Sequence, residues 1–236
     1  MKNDLDRLMQ ERGIDALLIL PGENEDPYRA YLSNGARFSG MVVKKCGEPP
    51  VLIANGMERD EAAKSGFTVY TYDDYGYSDL LREYKNDLDQ VKLAWYRRIF
   101  ETLGVQGRLT VYGVGDINGA FRLLAALSEG LGDRVEVVTE QERRTIFDHA
   151  YETKDAGELA NLREVARRTS AVMRATREWL ASHRARDGVV IGDDGTPVTI
   201  GDAKRYVRSQ LFEQDLEDPE GMIFAQGRDA GVPHSR

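Results

Sequence analysis

Cysteine occurs once in these 236 residues, at Cys46, and histidine only at His149, His183 and His234. One thiol cannot close an internal disulfide, so no disulfide framework supports this fold. Cys46 stands in the turn-like run Lys45-Cys46-Gly47-Glu48-Pro49-Pro50, with no neighbouring base to mark a reactive thiol. No two histidines have metal-ligand spacing, and H-E-x-x-H is absent. No serine sits in a G-x-S-x-G turn, which removes the usual nucleophile elbow. No apolar run approaches the roughly 18 residues of a membrane span. The start, Met1-Lys2-Asn3-Asp4-Leu5-Asp6, is polar and acidic where a secretory signal needs an apolar core. With the lone thiol, that start points to the cytoplasm. Positive charge is also scarce: the net charge is −8, with 19 Lys+Arg against 25 Asp+Glu in residues 1–150 and 13 against 15 in residues 151–236. Neither part is a basic module, so nucleic acid and anionic membrane are excluded as main partners.

What is present is an ordinary globular composition, 41% hydrophobic and 31% charged, in a chain long enough for one large domain or two small ones. The first 150 residues alternate helical and strand-like patterns. Leu5, Leu8 and Met9 share one helical face before a stop at Gly13. Asp15 to Leu20 is a short apolar run closed by Pro21-Gly22, as a strand buried on both faces would be. Phe38 to Lys45 and Val51 to Ala54, joined through a Gly-Pro turn, predict an antiparallel hairpin. A helix over Met57–Lys64, a strand over Phe67–Tyr72, a strand over Leu109–Tyr112, a helix over Ile117–Leu131 and a strand over Val135–Val138 complete the pattern. The expected fold class is α/β, a mixed sheet with helices on its faces.

The longest helical pattern runs from about Thr153 to His183. Leu159, Leu162, Ala166, Thr169, Val172, Met173, Thr176, Trp179 and Leu180 form its stripe, and Glu164 and Arg168 pair one turn apart. It marks a domain boundary, giving residues 1–150 as the first domain and residues 151–236 as a long helix with an incomplete second part. In that part Arg186–Gly201 reads as a loop or small hairpin, Asp202–Glu213 as a helix and Met222–Ala225 as a strand.

Three segments suggest chemistry. Gly113-Val114-Gly115-Asp116-Ile117-Asn118-Gly119 follows a strand and opens a helix, but a dinucleotide fingerprint needs glycine where Asn118 stands, so the plain reading is a glycine-rich turn. Asp193-Asp194-Gly195 lacks the spaced acids and closing glutamate of a calcium loop and reads as a hairpin turn. Asp218, Asp229 and His234 are close enough in sequence for a carboxylate–histidine site, yet nothing fixes their geometry. His234 has the most suggestive surroundings, in the polar, glycine-rich run Gly227 to Arg236 after the expected last strand.

That segment, from Gly221-Met222-Ile223-Phe224-Ala225-Gln226-Gly227 through Pro233-His234-Ser235-Arg236, resembles the entry to the catalytic domain of Xaa-Pro aminopeptidases and dipeptidases. These belong to the creatinase/aminopeptidase P family, with its pita-bread α+β catalytic fold. Thr153-Lys154 followed by Glu158-Leu159-Ala160-Asn161-Leu162-Arg163-Glu164-Val165-Ala166 is similar to the family's linker helix. Tyr31-Leu32-Ser33-Asn34-Gly35, the hairpin, and Val51-Leu52-Ile53 with Glu58 resemble its creatinase-like N-terminal domain. The resemblance implies an exopeptidase acting on Xaa-Pro bonds, taking peptides with proline at the second position, cytoplasmic and homodimeric. It implies two divalent metal ions, manganese in the usual case, held by two Asp, one His and two Glu. All five lie downstream of the position matched by His234, so this chain is expected to bind no metal and to be inactive alone. His234 alone carries over, as a catalytic residue beside the metal centre that hydrogen-bonds substrate or the tetrahedral intermediate. Two other readings stay open: a creatinase-like hydrolase working without metal, and a non-catalytic relative used for dimerisation or peptide binding.

Overall fold

The structure is a computed structural model that describes residues 2–23 and 25–233. By its internal contacts the chain divides into two compact units, residues 1–153 and 154–236.

The first unit is built on a six-stranded mixed sheet. Its strands are β1 (Ala16–Ile19), β2 (Met41–Lys45), β3 (Val51–Ala54), β4 (Thr68–Thr71), β5 (Gly107–Tyr112) and β6 (Val135–Val138), in the order β4-β3-β2-β1-β5-β6. β1 runs antiparallel to β2 and parallel to β5, with Leu17 opposite Lys44 on one side and Thr110 on the other. β2–β3 is the antiparallel hairpin expected from the sequence, and β3–β4 and β5–β6 are parallel.

All four residues of β1 are fully buried, as an unbroken apolar run at the centre of a two-sided sheet requires. Their side chains alternate between two cores. Leu17 and Ile19 join Leu5 and Met9 of α1 (Lys2–Glu11), Leu32 of α2 (Pro27–Leu32), Ala62 of α3 (Arg59–Ala63) and Phe147 of α7 (Ile146–Ala150). Ala16 and Leu18 join Leu80 of α4 (Tyr77–Glu83), Trp95 and Ile99 of α5 (Leu88–Leu103) and Leu127 of α6 (Ile117–Gly130). The layers are therefore helices, sheet, helices.

The strand expected from Phe38 begins only at Met41. Ser39 turns its N–H and hydroxyl onto the Glu58 carboxylate, at 3.0 and 2.7 Å, instead of joining the ladder. Gly40 then lies so close to the Ile53 carbonyl that any Cβ would collide with backbone. Only glycine permits that approach.

In the second unit α8 (Ala156–Ser182) opens on a capping box between Asp155 and Glu158. Its 27 residues span about 40 Å. α9 (Ile200–Glu213) packs on its carboxyl half, where Val172 and Thr176 are buried and Trp179 stacks on Tyr206 at 4.7 Å. The amino half of the expected stripe stays exposed at Leu159 and Leu162, and Met173 in the carboxyl half is exposed too. β7 (Arg184–Arg186) and β8 (Val189–Ile191) make a small hairpin at the start of the stretch read as a loop or small hairpin. The strand expected over Met222–Ala225 does not form, and Ile223 is exposed. No neighbouring strand offers that run the backbone partners a strand needs.

Candidate functional site at the carboxyl ends of β1 and β5

β1 and β5 are parallel neighbours, but the chain leaves them in opposite directions. After β1 it runs to α2 on one face of the sheet; after β5 it runs to α6 on the other. Diverging connections leave a crevice outside the carboxyl ends of the strands, the usual ligand position in open α/β sheets.

The first loop is held by two residues of α2 and its cap. Asp26 is the N-cap: one carboxylate oxygen accepts the N–H groups of Tyr28 and Arg29, at 2.9 and 3.0 Å. Pro27 at the first helical position has no N–H to satisfy. The other oxygen accepts the N–H of Val114 at 3.1 Å, which ties this loop to the one after β5. Arg29 donates to the carbonyls of Gly22 (2.8 Å) and Leu20 (3.4 Å) and lies over the Phe38 ring. Asp26 is 4% exposed and Arg29 5%, so both charges act inside the protein, where hydrogen bonds to ions are strong.

The crevice opens into a groove of about 650 Å³, within the range of small-ligand sites. Leu20 and Pro21 form one lip and Gly113 to Asp116 the other. Ile117, Ala120, Phe121 and Leu124 of α6 line it together with Tyr72, Tyr77, Trp95 and Tyr96. Trp95 is fixed by its indole N–H to the Tyr72 carbonyl (3.2 Å) and by edge contacts to Tyr72 and Tyr77. Burial, reinforced by the nearby Glu58 carboxylate, pushes the Tyr72 hydroxyl above its ordinary pKa, so it is a neutral donor. Asp116 caps α6 by accepting the Gly119 N–H at 2.6 Å. The glycine-rich turn read in the sequence is therefore a rim of the groove.

A second polar cluster closes the other face. Glu140 accepts from the Tyr112 hydroxyl, the Arg12 guanidinium and, at 3.0 Å, the N–H of Ile146. Arg12 also reaches Glu142 (2.9 Å) and the Arg144 carbonyl (2.8 Å). Burial, then the hydrogen bond to Glu140, raises the Tyr112 pKa. This cluster latches the segment after β6 onto the sheet.

His234 lies outside the described residues. His149 closes α7, with Nδ1 3.6 Å from Glu152, and His183 is the C-cap of α8, with Nδ1 2.7 Å from the Trp179 carbonyl. Asp218 precedes the turn at Pro219–Glu220 and Asp229 is in the short 3₁₀ turn Gly227–Gly231, both exposed. Asp194 accepts the N–H and hydroxyl of Thr196, at 2.9 and 2.7 Å, which is turn chemistry. Among the described residues no three His, Cys, Asp or Glu side chains are grouped to hold a metal, and no helix is long and apolar enough to cross a membrane. Asp26 and Arg29 were not singled out in the sequence, although Asp26-Pro27 carries the cap-then-proline start signal of a helix.

Residues 2–138 match the creatinase/prolidase N-terminal domain, from α1 through β6. The chain belongs to that family. No curated protein matches the chain. Among solved structures, its fold is similar to a dipeptidase from Pyrococcus horikoshii OT3, with a TM-score of 0.54 and 16% identity over 89% of this chain and 49% of that one. It is also similar to an X-Pro aminopeptidase from Thermotoga maritima MSB8, with a TM-score of 0.50 and 16% identity over 91% and 49%. The chain thus spans about half the length of each. The mixed sheet, α1 to α6 and every residue lining the groove lie within the creatinase/prolidase N-terminal domain match; α7, α8 and α9 lie beyond it.

Proposed function

We propose that this chain is the amino-terminal part of a peptidase of the prolidase/aminopeptidase P type, which removes a residue before proline or splits an Xaa-Pro dipeptide. The observation that carries this reading is the family match over residues 2–138, within a chain that spans half of a solved dipeptidase. In this reading the protein is a cytoplasmic homodimer, residues 1–150 form its N-terminal domain, and residues 151–236 carry the linker helix and the start of the catalytic domain. His234 lines the active site and hydrogen-bonds the substrate or the developing oxyanion. Two divalent metal ions, manganese in the usual case, would polarise the scissile carbonyl and supply the hydroxide nucleophile. The described residues do not fit such a pair, because they hold no grouping of ligands.

Residues 1–236 alone are accordingly expected to bind no metal tightly and to cleave no peptide. Isothermal titration with Mn²⁺ checks this: weak or absent heat is expected, and stoichiometric tight binding would overturn it. The coding sequence beyond codon 236 supplies a second check. Two Asp, one His and two Glu in family order agree with the peptidase, and their absence favours the metal-independent hydrolase or a non-catalytic relative.

A further inference from the structure

We infer that the groove at the carboxyl ends of β1 and β5 binds a small zwitterion with an apolar body, a hydrophobic amino acid or dipeptide. Three observations lead there. The groove stands at the switch point of the sheet and has room for a ligand of that size. Its α6 wall leaves Ile117 82% and Phe121 72% exposed, in a groove that Trp95 also lines. Apolar side chains so exposed beside a preformed cleft mark a surface that gains by being covered.

The charges choose among apolar ligands. Lys92 of α5 and Asp116 at the α6 cap are the two charged residues lining the groove, one of each sign. Lys92 has no hydrogen bond or ion pair among the described residues. Asp116 spends one carboxylate oxygen on Gly119 and leaves the other open. A ligand carrying a carboxylate and an ammonium meets both. A nucleotide does not: the Asp116 carboxylate already sits at the α6 amino terminus, where a phosphate would have to bind, and repels it. This inference uses only the first unit and stands apart from the exopeptidase reading, so either can fail without the other.

Trp95 supplies the readout. The chain has two tryptophans, and a Trp179→Phe background leaves Trp95 as the emitter, with calorimetry on the unaltered chain as a second measurement. Both are titrated with L-leucine, Leu-Leu, N-acetyl-leucine, leucinamide and AMP. Saturable binding of leucine or Leu-Leu in the millimolar range is expected, and the tighter of the two identifies the source. Each blocked analogue should bind about fivefold more weakly, the scale of one exposed charge pair. Lys92→Met should erase the preference for leucine over leucinamide. Asp116→Asn, which still caps α6, should erase the preference over N-acetyl-leucine. No saturation with leucine or Leu-Leu, equal binding of the blocked analogues, or AMP binding as tightly as leucine would overturn the inference.

Discussion

The carboxylate of Asp26 accepts the backbone N–H of Val114 at 3.1 Å, joining two loops that are 88 residues apart in the chain. One buried side chain thereby caps a helix and fixes the mouth of the crevice. Asp26→Ala strands three backbone N–H groups at once, those of Tyr28, Arg29 and Val114. Denaturant unfolding should show a loss of about 3 kcal/mol. Asp26→Asn keeps one acceptor oxygen and should cost about half as much. Amide exchange at Val114 should quicken in both variants; a loss below about 0.5 kcal/mol for Asp26→Ala would show that water replaces the carboxylate freely.

Arg12 and Glu140 form a buried ion pair, with side chains 13% and 6% exposed. Removing one partner leaves an uncompensated charge inside the protein. Arg12→Met should therefore destabilise by about 3 kcal/mol, whereas Arg12→Met with Glu140→Leu should recover part of that loss. Thermal or denaturant unfolding of both variants checks this. A double variant less stable than Arg12→Met alone would mean that the hydrogen bonds of Glu140 to Tyr112 and Ile146 outweigh the stranded charge.

Glu164 accepts from both Arg167 and Arg168, each at 2.8 Å through Nε. Those hydrogen bonds and charges lower its pKa from 4.5 to about 2. Because the folded value is depressed, the unfolded chain takes up the proton first as pH falls. The stabilisation is thus complete above about 4.5 and fades as pH drops towards 2. Glu164→Gln should flatten the stability–pH slope of this helix in that window, and an unchanged slope would show that the pair is screened by solvent.

How much of this was legible depends on whether the signal was local. β1 could be read because Ala16 to Ile19 is an apolar run between a glycine stop and Pro21-Gly22, and α8 because its apolar stripe lies in one segment. The crevice could not be read, since its walls come from the ends of β1 and β5, from α5 and α6, and from the turn at Tyr72. The parallel pairing of Leu17 with Thr110 brings the two strand ends together, and the hydrogen bond from Trp95 to the Tyr72 carbonyl joins α5 to that turn. The Gly113–Gly119 turn is legible in the sequence, but its role as a rim depends on the pairing of β1 with β5. Met222–Ala225 shows the opposite case. Its composition suits a strand, yet strand formation needs a neighbour that composition cannot report.

The family reading turns on what the complete protein does to a peptide bond before proline. The most direct measurement is hydrolysis by the full-length gene product, purified and supplied with Mn²⁺, of Xaa-Pro dipeptides and Xaa-Pro-Xaa tripeptides beside the same peptides with alanine for proline. Cleavage of proline-containing substrates is expected, abolished by chelation and reduced by about 10²-fold or more in His234→Ala, the scale of losing one transition-state hydrogen bond. Full activity in His234→Ala, or no preference for proline at the second position, would contradict it.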